Sequence, residues 1–384
     1  MSELEATRRA AGALLAACSW APLLGCHTEQ RVERPPPFQS LAIQRAPVDK
    51  IMRTIAFGSC AHQDKPQPIW EAITELQPDL FLLLGDNIYA DTRDMDEMRS
   101  KYAQLGAQSG FRKLCESCPI LATWDDHDYG TNDAGANYPM RKESQKIFCD
   151  FFAEPASSPR RQREGIYDCR IFGPPGRRVQ IILLDTRYFR SRLVRGARRG
   201  LNPDGYPARY VANTDTQSTI LGPAQWAWLE QQLQVEADLR IMVSSIQVAS
   251  EEHGFEKWMN FPHERQRLCD LIRQTRAGRI IVVSGDRHKA ELSRLDDCAD
   301  YPLYDLTSSA LNRPSGWYNE INRHRIGSEY RDENFGVILI DWDSPEPTVS
   351  LQIRKLDGEP AIVYDVPLTT LRSDPQAPHA DGPR

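Results

Sequence analysis

The segment "TWDDHDYG", residues 123–130, places Asp125, Asp126, His127 and Asp128 directly behind the apolar run "CPILAT". Like charges at that density repel, so the carboxylates either face water or are neutralised by something positive. A solvated loop and a metal site at a strand end both meet that demand, and these residues alone do not choose between them. Other clusters bear on the choice. "FGSC" ends in Cys60, with His62 two residues on, and "LLLGDNIYAD" contributes Asp86 and Tyr89. "VSGDRHKAELSR" contributes Asp286 and His288 at an i, i+2 spacing that directs two donors from one turn toward one site.

Pairs of metal ions about 3.5–4 Å apart catalyse phosphoester hydrolysis by activating water and neutralising the charge that develops. Asp86 has the character of the bridging carboxylate such a pair needs. Tyr89 can return a phenol oxygen to the same ion, a hard anionic donor suited to Fe(III), and a Cys60 thiolate can reach it too. Each residue also has a plainer reading: a Gly-Asp turn, a core aromatic, an inert buried cysteine, a surface turn.

The elements that would position these residues are legible as short apolar runs rich in β-branched residues. They are "RTIAFG" (53–58), "LFLLLG" (80–85), "PILATW" (119–124), "VQIILLD" (179–185), "LRIMVSS" (239–245) and "RIIVVSG" (279–285). Each is too short for a helix and too uniformly apolar for a half-exposed strand, which predicts central buried strands. Helical patterns intervene at 68–77, 141–152, 222–234 and 263–275, and residues 335–343 and 348–356 read as a late antiparallel pair. This alternation predicts an α/β sheet covered by helices on both faces. Every polar cluster follows a strand: Asp185 and Arg187 the fourth, Gln247 the fifth, the others the first, second, third and sixth. Ligands bind at the carboxyl ends of strands in such sheets, which favours the metal reading over the solvated loop.

In order along the chain, "GSC", "GDNIY", "TWDDHD", "LDTRYFR", "LGPAQWAWL" and "SGDRH" resemble the PhoD-like alkaline phosphatases and phosphodiesterases of the calcineurin-like metallophosphoesterase superfamily. The resemblance runs over about residues 51–310, with "DDHD" standing where the wider superfamily has GNH[DE]. It implies a four-layer αββα sandwich and metal-dependent hydrolysis of phosphomonoesters or phosphodiesters. It further implies an Fe(III)–Ca(II) site, with Cys60, Asp86, Tyr89 and His288 around iron and Asp86 bridging. Asp126 and Asp286 would serve the calcium-type position, where carboxylates suit a hard, oxygen-seeking ion. Gln247 falls where related enzymes often carry a His or Asn ligand. His127 would act beside the leaving group as an acid or hydrogen-bond donor. Arg187 would either hold a phosphate oxygen or brace Asp185. "SSALNRPSGW" (308–317) is similar to a family segment at the site's rim and is expected to shape the pocket. The short span between Cys26 and Arg53 leaves no room there for the N-terminal β-rich domain of better-known members.

With 384 residues, 40% hydrophobic and 26% charged, the composition is that of a globular protein with a large core. The formal net charge of −6 excludes a global basic field, so no specific nucleic-acid binding is expected. Arginine is locally dense at 187–200, either a solvated loop or a basic loop facing substrate. There is no G-x-x-x-x-G-K-[ST] phosphate loop and no G-x-S-x-G elbow.

At the N-terminus, Arg8 and Arg9 precede an apolar stretch from Ala10 to Leu24, shorter than the roughly 20 residues a spanning helix needs. This reads as an export signal ending in the lipobox-like "LLGC". The expectation is residues 1–26 as signal, a membrane anchor through lipid on Cys26 at the bacterial envelope, and a Pro-rich tether over 27–50. The catalytic domain is expected over 51–357, with a C-terminal tail at 358–384. Of nine cysteines, Cys115 and Cys118 in "CESC" form a candidate disulfide, and Cys149 and Cys269 read as core. The substrates expected are small-molecule or lipid phosphoesters, and the oligomeric state is left open. Competing readings are a phospholipase D-like or nucleotide diesterase, and a surface binding protein stabilised by calcium without catalysis.

Overall fold

The apolar runs resolve into two mixed sheets in the computed structural model, which describes residues 36–196, 209–315 and 320–372. The first sheet contains β1 (Thr54–Gly58), β2 (Leu80–Leu83), β3 (Ile120–Ala122), β13 (Asn334–Asp341), β14 (Thr348–Lys355) and β15 (Pro360–Pro367), in the order β15-β14-β13-β1-β2-β3. The second contains β4 (Asp168–Phe172), β5 (Val179–Leu183), β8 (Leu239–Ser244), β9 (Ile280–Ser284), β10 (Ala290–Leu295), β11 (Leu303–Ser308) and β12 (Arg325–Tyr330), in the order β12-β10-β11-β9-β8-β5-β4. A small ribbon pairs β6 (Val194–Arg195) with β7 (Tyr210–Val211). Strands β1, β2 and β3 run parallel, as do β5, β8, β9 and β11, so their carboxyl ends gather at shared edges.

Alternation along β1 shows how the layers form. Ile55 and Phe57 point into a core shared with Ile181, Val243, Ile281 and Ile338, whereas Ala56 points into a second core. That second core is roofed by α1 (Ile69–Glu75), α2 (Met95–Ala107), α3 (Ser109–Ser117) and α5 (Arg141–Phe151). Short helices α4 (Asp126–Tyr129) and α6 (Pro159–Gln162) are single turns between larger elements. Helices α7 (Gly222–Leu233) and α8 (Pro262–Thr275) add Leu229, Leu233, Leu268 and Ile272 to the inter-sheet core cluster. The αββα expectation holds.

Two boundaries, one helical stretch and one pairing differ from expectation. Residues 360–371 are not tail: β15 pairs with β14 and buries Val366, and Leu368 and Leu371 close the same core. The tether is not free over its second half, because Leu41 is buried and its N–H donates to the Phe151 carbonyl at 2.8 Å, with Phe38 and Ile43 packed alongside. Helices α2 and α3 fill a stretch that carried no helical expectation. Cys269 is in the core as expected but forms a disulfide there with Cys298, whereas Cys115 and Cys118 are both free and buried. Cys115 lies within α3 and Cys118 caps it in an extended conformation, its thiol donating to the Pro119 carbonyl. The signal and lipobox, residues 1–26, and the end of the tail, 373–384, lie outside the described residues. Among the described residues no helix is long and apolar enough to cross a membrane.

Candidate metal centre

The loops after β1, β2, β3 and β9 carry Cys60, Asp86, Asp125–Asp126 and Asp286–His288 to one place, and they do so at a backbone cost. Cys60 (φ 62°), Asp86 (φ 51°), Asp286 (φ 68°) and His288 (φ 56°) all occupy the left-handed region. For residues with a Cβ this costs on the order of 1–3 kcal/mol each and persists only where surrounding structure enforces it. One enforcing element is Asp128, whose buried carboxylate accepts from the backbone N–H groups of Asp86 (3.2 Å), Asn87 (3.2 Å) and Asp125 (2.6 Å). It thereby clamps the loops after β2 and β3 together. Gly85 (φ 108°) allows their close approach, because a Cβ there would lie 2.6 Å from the Asp125 backbone nitrogen.

Two donor sets result, linked where Asp86 of one approaches Asp126 of the other. In the first, Tyr89 donates its hydroxyl to Asp86 Oδ2 at 3.1 Å, Cys60 Sγ lies 3.5 Å from the same oxygen, and Tyr89 Oη is 3.4 Å from His288 Nε2. In the second, Asp125, Asp126 and Asp286 bring carboxylate oxygens within 4.8 Å of one another. Asp86 and Asp126 also meet with His127, and Asp126 meets Asp133 and Glu256. The residues fit a cation. Asp125 Oδ2 and Asp126 Oδ1 are buried with no hydrogen-bond partner among the described residues, a state that costs free energy unless something positive satisfies it.

The electrostatics agree. Burial, then the charges of Cys60, Asp126 and Asp125, push Asp86 well above the usual carboxylate range, against the pull of His127. Burial and then Asp125 do the same to Asp286, and burial with the Asp86 and Cys60 charges raises the Tyr89 phenol. Such a crowd of acidic groups keeps protons only until a cation replaces them. Burial and the nearby Arg313 and Arg287 lower His288 to about 3, which leaves its imidazole neutral and able to ligate.

His127 sits beside both sets. Its Nδ1 is 2.7 Å from Asp91 Oδ2 and its ring centroid 4.3 Å from that of Tyr89. Burial disfavours the imidazolium, but Asp126, Asp86 and Asp91 outweigh it and raise the group to about 11. Asp91, five residues after Asp86, was not foreseen, although an orienting carboxylate for a working histidine is a common need.

Three sequence expectations fail here in whole or in part. Arg187 does not face substrate: it is fully buried, with its guanidinium paired to Asp125 and Glu256. Nor does its side chain brace Asp185, which instead accepts from the Trp124 indole and the backbone N–H groups of Ile166, Arg187 and Tyr188. Gln247 is excluded as a ligand by its own hydrogen bonds. Its amide donates to Glu291 (2.6 Å) and Thr307 (2.9 Å), and its carbonyl accepts from His253 (3.0 Å). The arginine-dense segment is buried in its first part, where Arg190 lies beside Glu256, and solvated at Arg192 and Arg195; residues 197–200 lie outside the described residues.

Above the donor sets opens a cavity of about 280 Å³, floored by Asp126, His127, Asp286 and His288 and walled by four cations, Arg209, Arg287, Lys289 and Arg313. Asp133, Glu256 and Arg209 carried no signal in the sequence beyond being polar, whereas Arg313 and Ser315 belong to the segment 308–317 expected at the rim.

The family model of the PhoD-like phosphatases matches residues 55–334. Alkaline phosphatase D of Bacillus subtilis (strain 168) is 22% identical over 284 residues, covering 63% of this chain and 47% of that protein. The chain thus spans about half the length of this curated relative. A structure of PhoD superposes with a TM-score of 0.63 at 17% identity, over 88% of this chain and 74% of that one. Purple acid phosphatase PPD1 from yellow lupin (Lupinus luteus) seeds gives 0.59 at 14% identity, over 90% and 58%. GAP50, the anchor in the inner membrane complex of Plasmodium, gives 0.51 at 13% identity, over 85% and 90%. At these identities the structural likenesses carry the fold.

Proposed function

The chain belongs to the PhoD-like phosphatase family, and from that premise we propose that it is a metal-dependent phosphoester hydrolase acting as a phosphatase or phosphodiesterase. Fold alone does not carry this reading, since a similar fold serves an anchor in Plasmodium. The observation that carries it is the pair of donor sets, linked where Asp86 meets Asp126, beneath a cation-walled cavity.

Cys60, Asp86, Tyr89 and His288 are the residues we assign to Fe(III), because thiolate, phenolate and imidazole together suit a transition metal. Asp125, Asp126 and Asp286 offer only carboxylates and are assigned to Ca(II). When bound, the ions supply an activated water and neutralise the charge gained at phosphorus. His127, oriented by Asp91, donates a hydrogen bond to the leaving oxygen. Asp128 and Arg187 hold the loops bearing Asp86 and Asp125 in place. The polar, charged wall of the cavity favours a polar leaving group over a lipid one.

The test is elemental analysis of natively purified protein together with turnover of mono- and diester substrates. Iron and calcium near stoichiometry with turnover are expected, and Asp86→Asn is expected to lower turnover by about a thousandfold or more with the fold intact. Undiminished turnover in a folded Asp86→Asn variant would sink the proposal, and calcium-dependent stability without hydrolysis would favour a binding protein.

We also propose that the protein is exported and anchored through lipid on Cys26. The Cys269–Cys298 disulfide supports an oxidising compartment. Cys26→Ala is expected to move the protein from the membrane fraction to the soluble one; an unchanged distribution would remove the anchor.

A further inference from the structure

Of the four cations on the cavity wall, three are spent on carboxylates. Arg209 pairs with Asp133 at 3.0 Å, Arg287 with Glu320, and Lys289 with Glu320 (3.0 Å) and Glu329 (2.8 Å). Arg313 is different. Its guanidinium carbon lies 4.0 Å from the centroid of the Tyr89 ring, and among the described residues no carboxylate pairs with it and no acceptor takes its N–H groups. A half-buried guanidinium with no acidic partner, set over a metal-site tyrosine and lining the cavity, has its charge and donors available to an anion.

Its backbone is tied to the ligand loops on both sides. The preceding residue, Asn312, accepts the His62 N–H at 2.6 Å and donates to the carbonyls of His62 (2.9 Å) and Pro66 (3.1 Å). Two residues on, the Ser315 N–H donates to the His288 carbonyl at 2.9 Å. The segment is thus stitched to the loop that carries Cys60 and to the turn that carries His288. Loop mobility therefore does not explain the missing partner, and Arg313 is presented from a fixed base.

We propose that Arg313 is the residue that binds the non-bridging oxygens of the substrate's phosphoryl group, the role Arg187 is too buried to fill. This rests on the hydrolase reading for the identity of the substrate, but the contact itself requires only a phosphate anion at the metal-loaded site. A guanidinium matches two phosphate oxygens at once, which a lysine ammonium does not. Arg313 then has two neighbours in the bound state, the phenol face beneath and the phosphoryl oxygens in the cavity.

The experiment is calorimetric titration of inorganic phosphate into metal-loaded, full-length protein, as wild type, Arg313→Ala and Arg313→Lys, with metal content measured on each sample. Arg313→Ala is expected to weaken phosphate binding by about tenfold or more at unchanged metal content, and Arg313→Lys to restore part of the loss. Phosphate affinity within about twofold of wild type in Arg313→Ala would overturn the assignment. So would loss of metal from that variant, which would make Arg313 a support for Tyr89 instead. A wild type that hydrolyses no phosphoester yet binds phosphate through Arg313 would end the hydrolase reading and leave this one standing.

Discussion

At the scale of single residues, the centre is built from side chains whose individual readings were all ordinary. A Gly-Asp turn, a tyrosine three residues later and a cysteine behind a strand are common, and each is usually inert. What distinguishes them here is convergence on one oxygen, Asp86 Oδ2, which both Tyr89 and Cys60 approach. The same scale holds the His127–Asp91 contact. Asp91→Asn keeps the shape and removes the charge that orients the imidazole and helps Asp126 and Asp86 hold its proton. It is expected to lower kcat by about tenfold to a hundredfold with little change in metal content, and His127→Asn by about a hundredfold or more. Steady-state kinetics on metal-replete variants checks this; an Asp91→Asn enzyme as fast as wild type would show that His127 needs no orientation.

At the scale of elements, the loops after β2 and β3 behave as one unit because Asp128 bonds across them and Gly85 lets them touch. Adding a methyl group at Gly85 meets the Asp125 backbone and Cβ, both at 2.6 Å, from a conformation that disfavours any Cβ. Gly85→Ala is expected to cost about 2–4 kcal/mol in denaturant unfolding and to reduce metal content, because strain and clash fall on the same loop. Unchanged stability and metal would mean that the two loops move independently. Helix α2 shows why some elements were missed: Met98, Tyr102 and Leu105 do recur at helical spacing, but among charged neighbours that dilute the apolar signal. The last strand, β15, has alternating exposed and half-buried positions and only Val366 fully buried, so its segment reads as tail until β14 is there to pair with it.

At the scale of the whole molecule, two sheets enclose a core while polar groups are pushed to one rim, and a few buried polar groups link the rim to that core. His253 is one of them. Its Nε2 donates to Gln247 and its Nδ1 accepts the Phe255 N–H, an arrangement that requires the neutral ring. Burial, with Arg287, Lys257 and Lys289 nearby, holds it well below its ordinary value of 6.5. The unfolded chain therefore takes up the proton first as pH falls, so this stability is present above pH 6.5 and lost below it. Each unit below that point is expected to cost up to about 1.4 kcal/mol from this one group, a slope that His253→Gln should flatten. Equal acid limbs in urea unfolding of the two proteins would assign the pH dependence elsewhere.

Periodicity and residue type were enough to read the strands β1, β2, β3, β5, β8, β9, β13 and β14 and the covering helices α1, α5, α7 and α8, because burial of alternate or successive apolar residues leaves a local imprint. The resemblance of the motifs added the αββα layering. Which polar residues are spent on one another left no such imprint. Arg187 and Arg313 are alike as letters, yet one is neutralised by Asp125 and Glu256 in the interior and the other stands over Tyr89 in the cavity. Asp91 finds His127 across 36 residues, and Cys269 finds Cys298 across 29 rather than Cys115 finding Cys118 across three. Those pairings are long-range, and they are set by how the strands order themselves across the two sheets. Electrostatic partnership depends on distance in space, and sequence spacing constrains that distance only within a turn or a strand.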